Sequence, residues 1–125
     1  MTDVDRGEAR VLIVNDDADL RESLVELLRD AGFSVRGAAS GAEALDILLS
    51  SRHRLVLADL TMPGIDGRAL MQQAQSILDV APAFVFVTGA VPSAVGDTGA
   101  PIMTKPVDID QLLRVVSQHC APPGC

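Results

Sequence analysis

The sequence predicts a doubly wound α/β domain, and three observations carry that prediction. Five short apolar runs recur along the chain, segments of helical periodicity separate them, and most runs are continuously apolar rather than alternating. Alternation of strand and helix argues for a parallel sheet, and continuous apolarity suits strands covered by helices on both faces. The runs are Val11 to Val14, Phe33 to Ala38, Leu55 to Ala58, Ala83 to Val87, and a weaker one at Ile102 and Met103.

The helices follow in order. Leu20, Leu24, Leu27, Leu28 and Ala31 keep the spacing of one helical face, with Gly32 placed as a stop signal. Leu45, Leu48 and Leu49 mark a second helix starting near Ala42. Leu70, Met71, Ala74, Ile77 and Leu78 mark a third, and Leu112, Leu113 and Val116 mark the last. Between the fourth and fifth strands the rhythm breaks, because Ala90 to Ala100 contains Pro92, Gly96 and Gly99 with only Val91 and Val95 as larger apolar anchors. A helix there is predicted to be short or missing.

Length and composition bound the rest. The chain has 125 residues, enough for one domain with a real core and too few for two. Apolar residues make up 48%, which excludes a disordered class, and with three Phe and no Tyr or Trp the core must be aliphatic. A formal net charge of -7, with no basic cluster, argues against binding nucleic acid or anionic membrane. The acidic start, with Asp3, Asp5 and Glu8, is unlike a signal peptide, and no run approaches a membrane span; a cytoplasmic protein is expected. Residues 1–9 read as an N-terminal extension, 10–118 as the domain and 119–125 as a tail. Cys120 and Cys125 in that tail lack zinc-site spacing and read as free thiols. Met62 reads as a gap filler, and His53 and His119 as surface residues.

In an open parallel sheet, ligands bind outside the carboxyl ends of the strands. The polar residues there are Asn15, Asp16 and Asp17 after the first strand, Asp59 after the third, Thr88 after the fourth, and Thr104 and Lys105 after the fifth. Crowded carboxylates with a hydroxyl and one ammonium suit a site for Mg²⁺ and a phosphoryl group. An acid ending an apolar strand just before Met-Pro-Gly is a costly choice unless it has a partner. Taken alone, Asp16 or Asp17 reads equally well as an N-cap of the first helix or as a ligand.

The ordered set Val11-Leu12-Ile13-Val14-Asn15-Asp16-Asp17, Asp59-Leu60-Thr61-Met62-Pro63-Gly64-Ile65-Asp66-Gly67, Thr88-Gly89 and Lys105-Pro106 resembles the receiver domains of two-component signalling. The resemblance covers nearly all of residues 10 to 118 and implies a flavodoxin-like strand order 2-1-3-4-5. It implies Asp59 as phosphoacceptor, with Asp16, Asp59 and the carbonyl of Thr61 holding Mg²⁺. Thr88 and Lys105 would contact the phosphoryl group, and Lys105-Pro106 would be cis. Gly64 and Gly67 would permit unusual backbone angles on the rim of the site. A histidine kinase or histidine phosphotransfer protein would donate the phosphate, a downstream protein would read it, and the domain would not be a turnover enzyme.

Three departures from the family pattern stand out. Asn15 occupies the first of two usual acidic places, which predicts weaker Mg²⁺ binding with phosphorylation retained, its amide oxygen still accepting a hydrogen bond from a metal-bound water. Ile102 stands where the family usually has the aromatic that moves with Thr88. The Thr88–Lys105 interval is short. These features also fit an alternative, a degenerate receiver that binds partners without being phosphorylated. A phosphohydrolase with an aspartyl-phosphate intermediate would need an acid at Thr61, and a flavin protein would need a phosphate-cradling loop after the first strand; neither is present.

Overall fold

The computed structural model describes residues 11–89 and 100–119. These form β1 (Val11–Val14), α1 (Ala18–Asp30), β2 (Val35–Ala38), α2 (Gly41–Ser50), β3 (Leu55–Asp59), α3 (Gly67–Ile77), β4 (Ala83–Thr88), β5 (Ile102–Thr104) and α4 (Ile109–His119). All strand pairs are parallel, in the order β2-β1-β3-β4-β5. The predicted fold class and strand order therefore hold. The shortened segment at 90–99, the N-terminal extension and the cysteine-bearing tail lie outside the described residues. His119, expected in that tail, instead ends α4.

Successive residues of the central strands bury their side chains on opposite faces of the sheet, so the continuous runs feed two separate cores. Val11, Ile13, Leu55, Leu57, Val85 and Val87 meet Leu24 and Leu28 of α1 and Leu112 and Val116 of α4. Leu12, Val14, Val56, Ala58, Phe84 and Phe86 meet Ala44, Ile47 and Leu48 of α2 and Leu70, Met71 and Ala74 of α3. Met62 fills the second core, as expected of a gap filler.

Each helix starts on a side chain that satisfies its free amides. Asp17 accepts from the amides of Asp19 and Leu20, Ser40 from Glu43, Asp66 from Ala69, and Asp108 from Gln111. Helix α1 ends at Gly32, whose φ is +99°, with the amide of Gly32 bonded to the Arg29 carbonyl and that of Phe33 to the Leu28 carbonyl. This closure moves the start of β2. Phe33 was expected in the strand, but its amide is spent on the helix end, and pairing begins at Val35 while the Phe33 ring stays in the core.

Strand β2 is an edge, and its sequence Val-Arg-Gly-Ala departs from continuous apolarity because one side has no neighbouring strand. Arg29, from α1, donates to the Val35 carbonyl at 2.9 Å through Nη2. This covers an edge acceptor that could otherwise pair with another chain.

Candidate functional site

Three polar or charged residues are buried among the described residues: Asn15, Asp59 and Thr88. All stand at the carboxyl ends of the three central strands. The parallel order explains this grouping, because it brings the ends of β1, β3 and β4 side by side.

Asp59, the last residue of β3, is 6% exposed. Its Oδ1 accepts the Thr61 amide at 3.0 Å, and its Oδ2 pairs with Lys105 Nζ at 2.9 Å. Lys105 reaches it from just beyond β5, across a cis Lys105-Pro106 bond, which agrees with expectation. The Lys105 amide donates to the Thr88 carbonyl at 2.8 Å, tying the ends of β4 and β5 together. Asp59, Thr88 and Lys105 thus form one connected group. A buried carboxylate with an ammonium partner and a backbone donor meets the requirement for keeping charge out of water.

The two aspartates of the loop after β1 differ. Asp17 is the N-cap of α1, while Asp16 is exposed and makes no hydrogen bond or ion pair among the described residues. Asn15 Oδ1 accepts the Asp17 amide at 2.9 Å. The oxygen expected to receive a metal-bound water is therefore already engaged once, leaving one lone pair for that task.

The two glycines of the rim differ. Gly64 takes a φ of +76°, as expected. For Gly67 the expected reason is corrected: it does not have a positive φ, and space rather than angle demands glycine. A Cβ there would run into the Asp59 carbonyl oxygen, so α3 starts against the backbone of the acid itself.

The donors expected to hold Mg²⁺ are the carboxylates of Asp16 and Asp59 and the Thr61 carbonyl. They are all oxygens, and the Asp16 carboxylate has no partner among the described residues, so the set fits a hard divalent cation in kind. Among the described residues no group of three His, Cys, Asp or Glu side chains gathers as a metal cluster, here or elsewhere, so the set relies on the Thr61 carbonyl beside its two carboxylates.

His53, expected on the surface, is half-buried. Its Nδ1 lies 3.3 Å from the Ser51 carbonyl and its Nε2 is buried without a partner among the described residues. Burial is the largest influence on its pKa and lowers it; the Ser51 contact opposes this and the charge of Arg36 adds to it. No sequence pattern marks Arg21, whose Nη1 donates to the Asn15 carbonyl at 2.8 Å.

A parallel sheet in this order, with an acid, a threonine and a lysine gathered at its carboxyl edge, defines a response-regulator receiver domain of two-component signalling. The chain belongs to that family: the model of the response regulator receiver domain matches residues 11–117. It is 36% identical over 112 residues to the transcriptional regulatory protein GlrR of Escherichia coli, covering 86% of this chain and 25% of that one. The chain thus spans about a quarter of that relative's length. Among solved structures it resembles a CheY-like receiver domain from Methanospirillum hungatei, with a TM-score of 0.75, 31% identity, and coverage of 86% of this chain and 90% of that one. It also resembles the response regulator TrrA of Thermotoga maritima, solved in complex with Mg²⁺-BeF, with a TM-score of 0.79, 26% identity, and coverage of 90% and 99%.

Proposed function

We propose that this domain accepts a phosphoryl group on Asp59 from a histidine kinase or histidine phosphotransfer protein, in a Mg²⁺-dependent transfer, and passes the signal to a downstream protein in the cytoplasm. The observation that carries this reading is the pairing of a buried Asp59 carboxylate with Lys105 at 2.9 Å. The bond between phosphorus and the donor's histidine nitrogen breaks as a bond to a carboxylate oxygen of Asp59 forms. Lys105 then pairs with the transferred group, and the Thr88 hydroxyl donates to one of its oxygens. Asp16, Asp59 and the Thr61 carbonyl hold Mg²⁺, which when bound offsets the charge of the incoming phosphoryl group. Asp59 is consumed once per event, so the domain acts as a stoichiometric acceptor rather than a turnover enzyme. Contact with nucleic acid is not part of this reading, because the chain carries a net charge of -7.

The test adds Mg²⁺ and a small phosphodonor and follows the intact mass. The natural chain should gain one phosphoryl group, and Asp59→Asn should gain none. A second reading, a receiver that binds partners without phosphorylation, draws on Asn15 at the metal position and on Ile102 beside Phe86 in the β4–β5 pairing. No mass gain in the natural chain at saturating Mg²⁺ would favour it.

A further inference from the structure

We infer that Arg21 is a positioning residue for the phosphoryl-transfer site, holding the loop that presents Asp16; this rests on the proposed role of Asp16 as a metal ligand. Arg21 brackets Asp16 from both sides. Its backbone amide donates to the Asp17 carbonyl at 2.9 Å, and its guanidinium Nη1 donates to the Asn15 carbonyl at 2.8 Å.

The loop depends on this because Asp16 has no anchor of its own. Its carboxylate is exposed and unpartnered among the described residues, so its place is set by the backbone on either side. On one side Asn15 is buried, its amide bonded to the Ala38 carbonyl at 3.1 Å and its Oδ1 to the Asp17 amide. Among the described residues no backbone amide is paired with the Asn15 carbonyl, since β1 has ended at Val14. Arg21 is its donor. On the other side Asp17 is committed to capping α1.

The sheet leaves room for the reach. A side chain at Gly37 of β2 would bring its Cβ to 3.3 Å from both Cγ and Cδ of Arg21, so the arginine stem lies close over a position that has none. The stem packs on β2 while the charged head serves the end of β1. A carbonyl received by a guanidinium makes a charge-assisted bond, and no other described group replaces it.

Two measurements on the full chain test this. First, amide hydrogen exchange without metal compares the natural chain with Arg21→Met, which keeps the stem and loses the donor. Exchange at Asn15 and Asp17 should speed up by about tenfold while the amides of β3 and β4 hold, and Arg21→Lys should recover part of the protection. Equal change throughout the domain would reduce Arg21 to a general structural role and overturn the inference, as would no change at the loop. Second, titration with Mg²⁺ alone, followed by backbone chemical shifts, should show affinity weakened by about tenfold in Arg21→Met. Affinity within about twofold of the natural chain's would also overturn it. Gly37→Val, which presses on the stem without touching the guanidinium, should weaken Mg²⁺ binding in the same direction, and unchanged affinity there counts against the inference. The exchange arm needs neither metal nor phosphate, so failure of the phosphoacceptor reading and failure of this one are told apart.

Discussion

The two ends of the sheet handle polar groups differently. At the carboxyl edge, Asn15 and Asp59 are buried with their side-chain oxygens engaged, and Thr88 is buried and bonded through its carbonyl to Lys105. At the opposite edge, where β3 and β4 begin, His53 keeps a buried Nε2 without a partner among the described residues, beside a cavity of about 660 Å³ lined by Leu48, Leu78, Pro82 and His119 among others. This hollow is thus not where the chemistry gathers. A phosphoryl group is small and arrives on a donor protein, so its acceptor needs a fixed carboxylate and cations rather than a deep pocket. Burial at one edge is organised around a charge; at the other it is incidental to packing.

Four changes break or sharpen that contrast, taken from the largest expected effect. Gly67→Ala forces a Cβ against the Asp59 carbonyl oxygen, and backbone cannot yield as a flexible side chain would. Urea unfolding should show a loss of about 3 kcal/mol. Lys105→Met leaves the fold and removes the ammonium 2.9 Å from Asp59. The phosphorylation rate, read by mass against time, should fall about hundredfold, while stability changes by only about 1 kcal/mol because the lysine is partly solvated. A loss of stability as large as that of Gly67→Ala would mean that the pair serves folding first.

Asn15→Asp tests the same edge more gently. The new carboxylate can still accept the Asp17 amide, so the loop should survive, and the added charge should tighten Mg²⁺ binding by about tenfold. Without metal the extra anion near Asp59 should lower the melting temperature, and saturating Mg²⁺ should reverse the order of the two proteins. Equal Mg²⁺ affinities would show that Asn15 does not tune the site.

Much of this architecture is legible in the sequence. The central strands are aliphatic because both their faces are covered, and Asp59, Thr88 and Lys105 could be placed together because parallel strands deliver their ends to one edge. What stayed hidden was set by hydrogen bonds that leave no sequence period. Phe33 looks like strand, yet its amide closes α1. Ser40, Asp66 and Asp108 cap helices from positions that read as ordinary loop. Arg21 appears as one more polar residue on α1, since a guanidinium reaching back six residues to a carbonyl has no signature. His53 looks like a surface histidine because its burial depends on how two loops meet.

The smallest effect concerns that histidine. Burial lowers its pKa from the ordinary value near 6.5, so the folded chain favours the neutral ring while the unfolded chain takes up a proton more readily. Its contribution to stability is therefore present above 6.5 and is lost as the pH falls from there through the lowered folded value, below which it levels off. Unfolding free energies measured across this range should decline more steeply for the natural chain than for His53→Asn, and the two slopes should agree above it. Phosphorylation of Asp59, at the far edge, should be equal in the two proteins at neutral pH. A substitution at His53 that altered the transfer rate there would mean the two ends of the sheet are coupled, and the separation between a working edge and a packing edge would have to be given up.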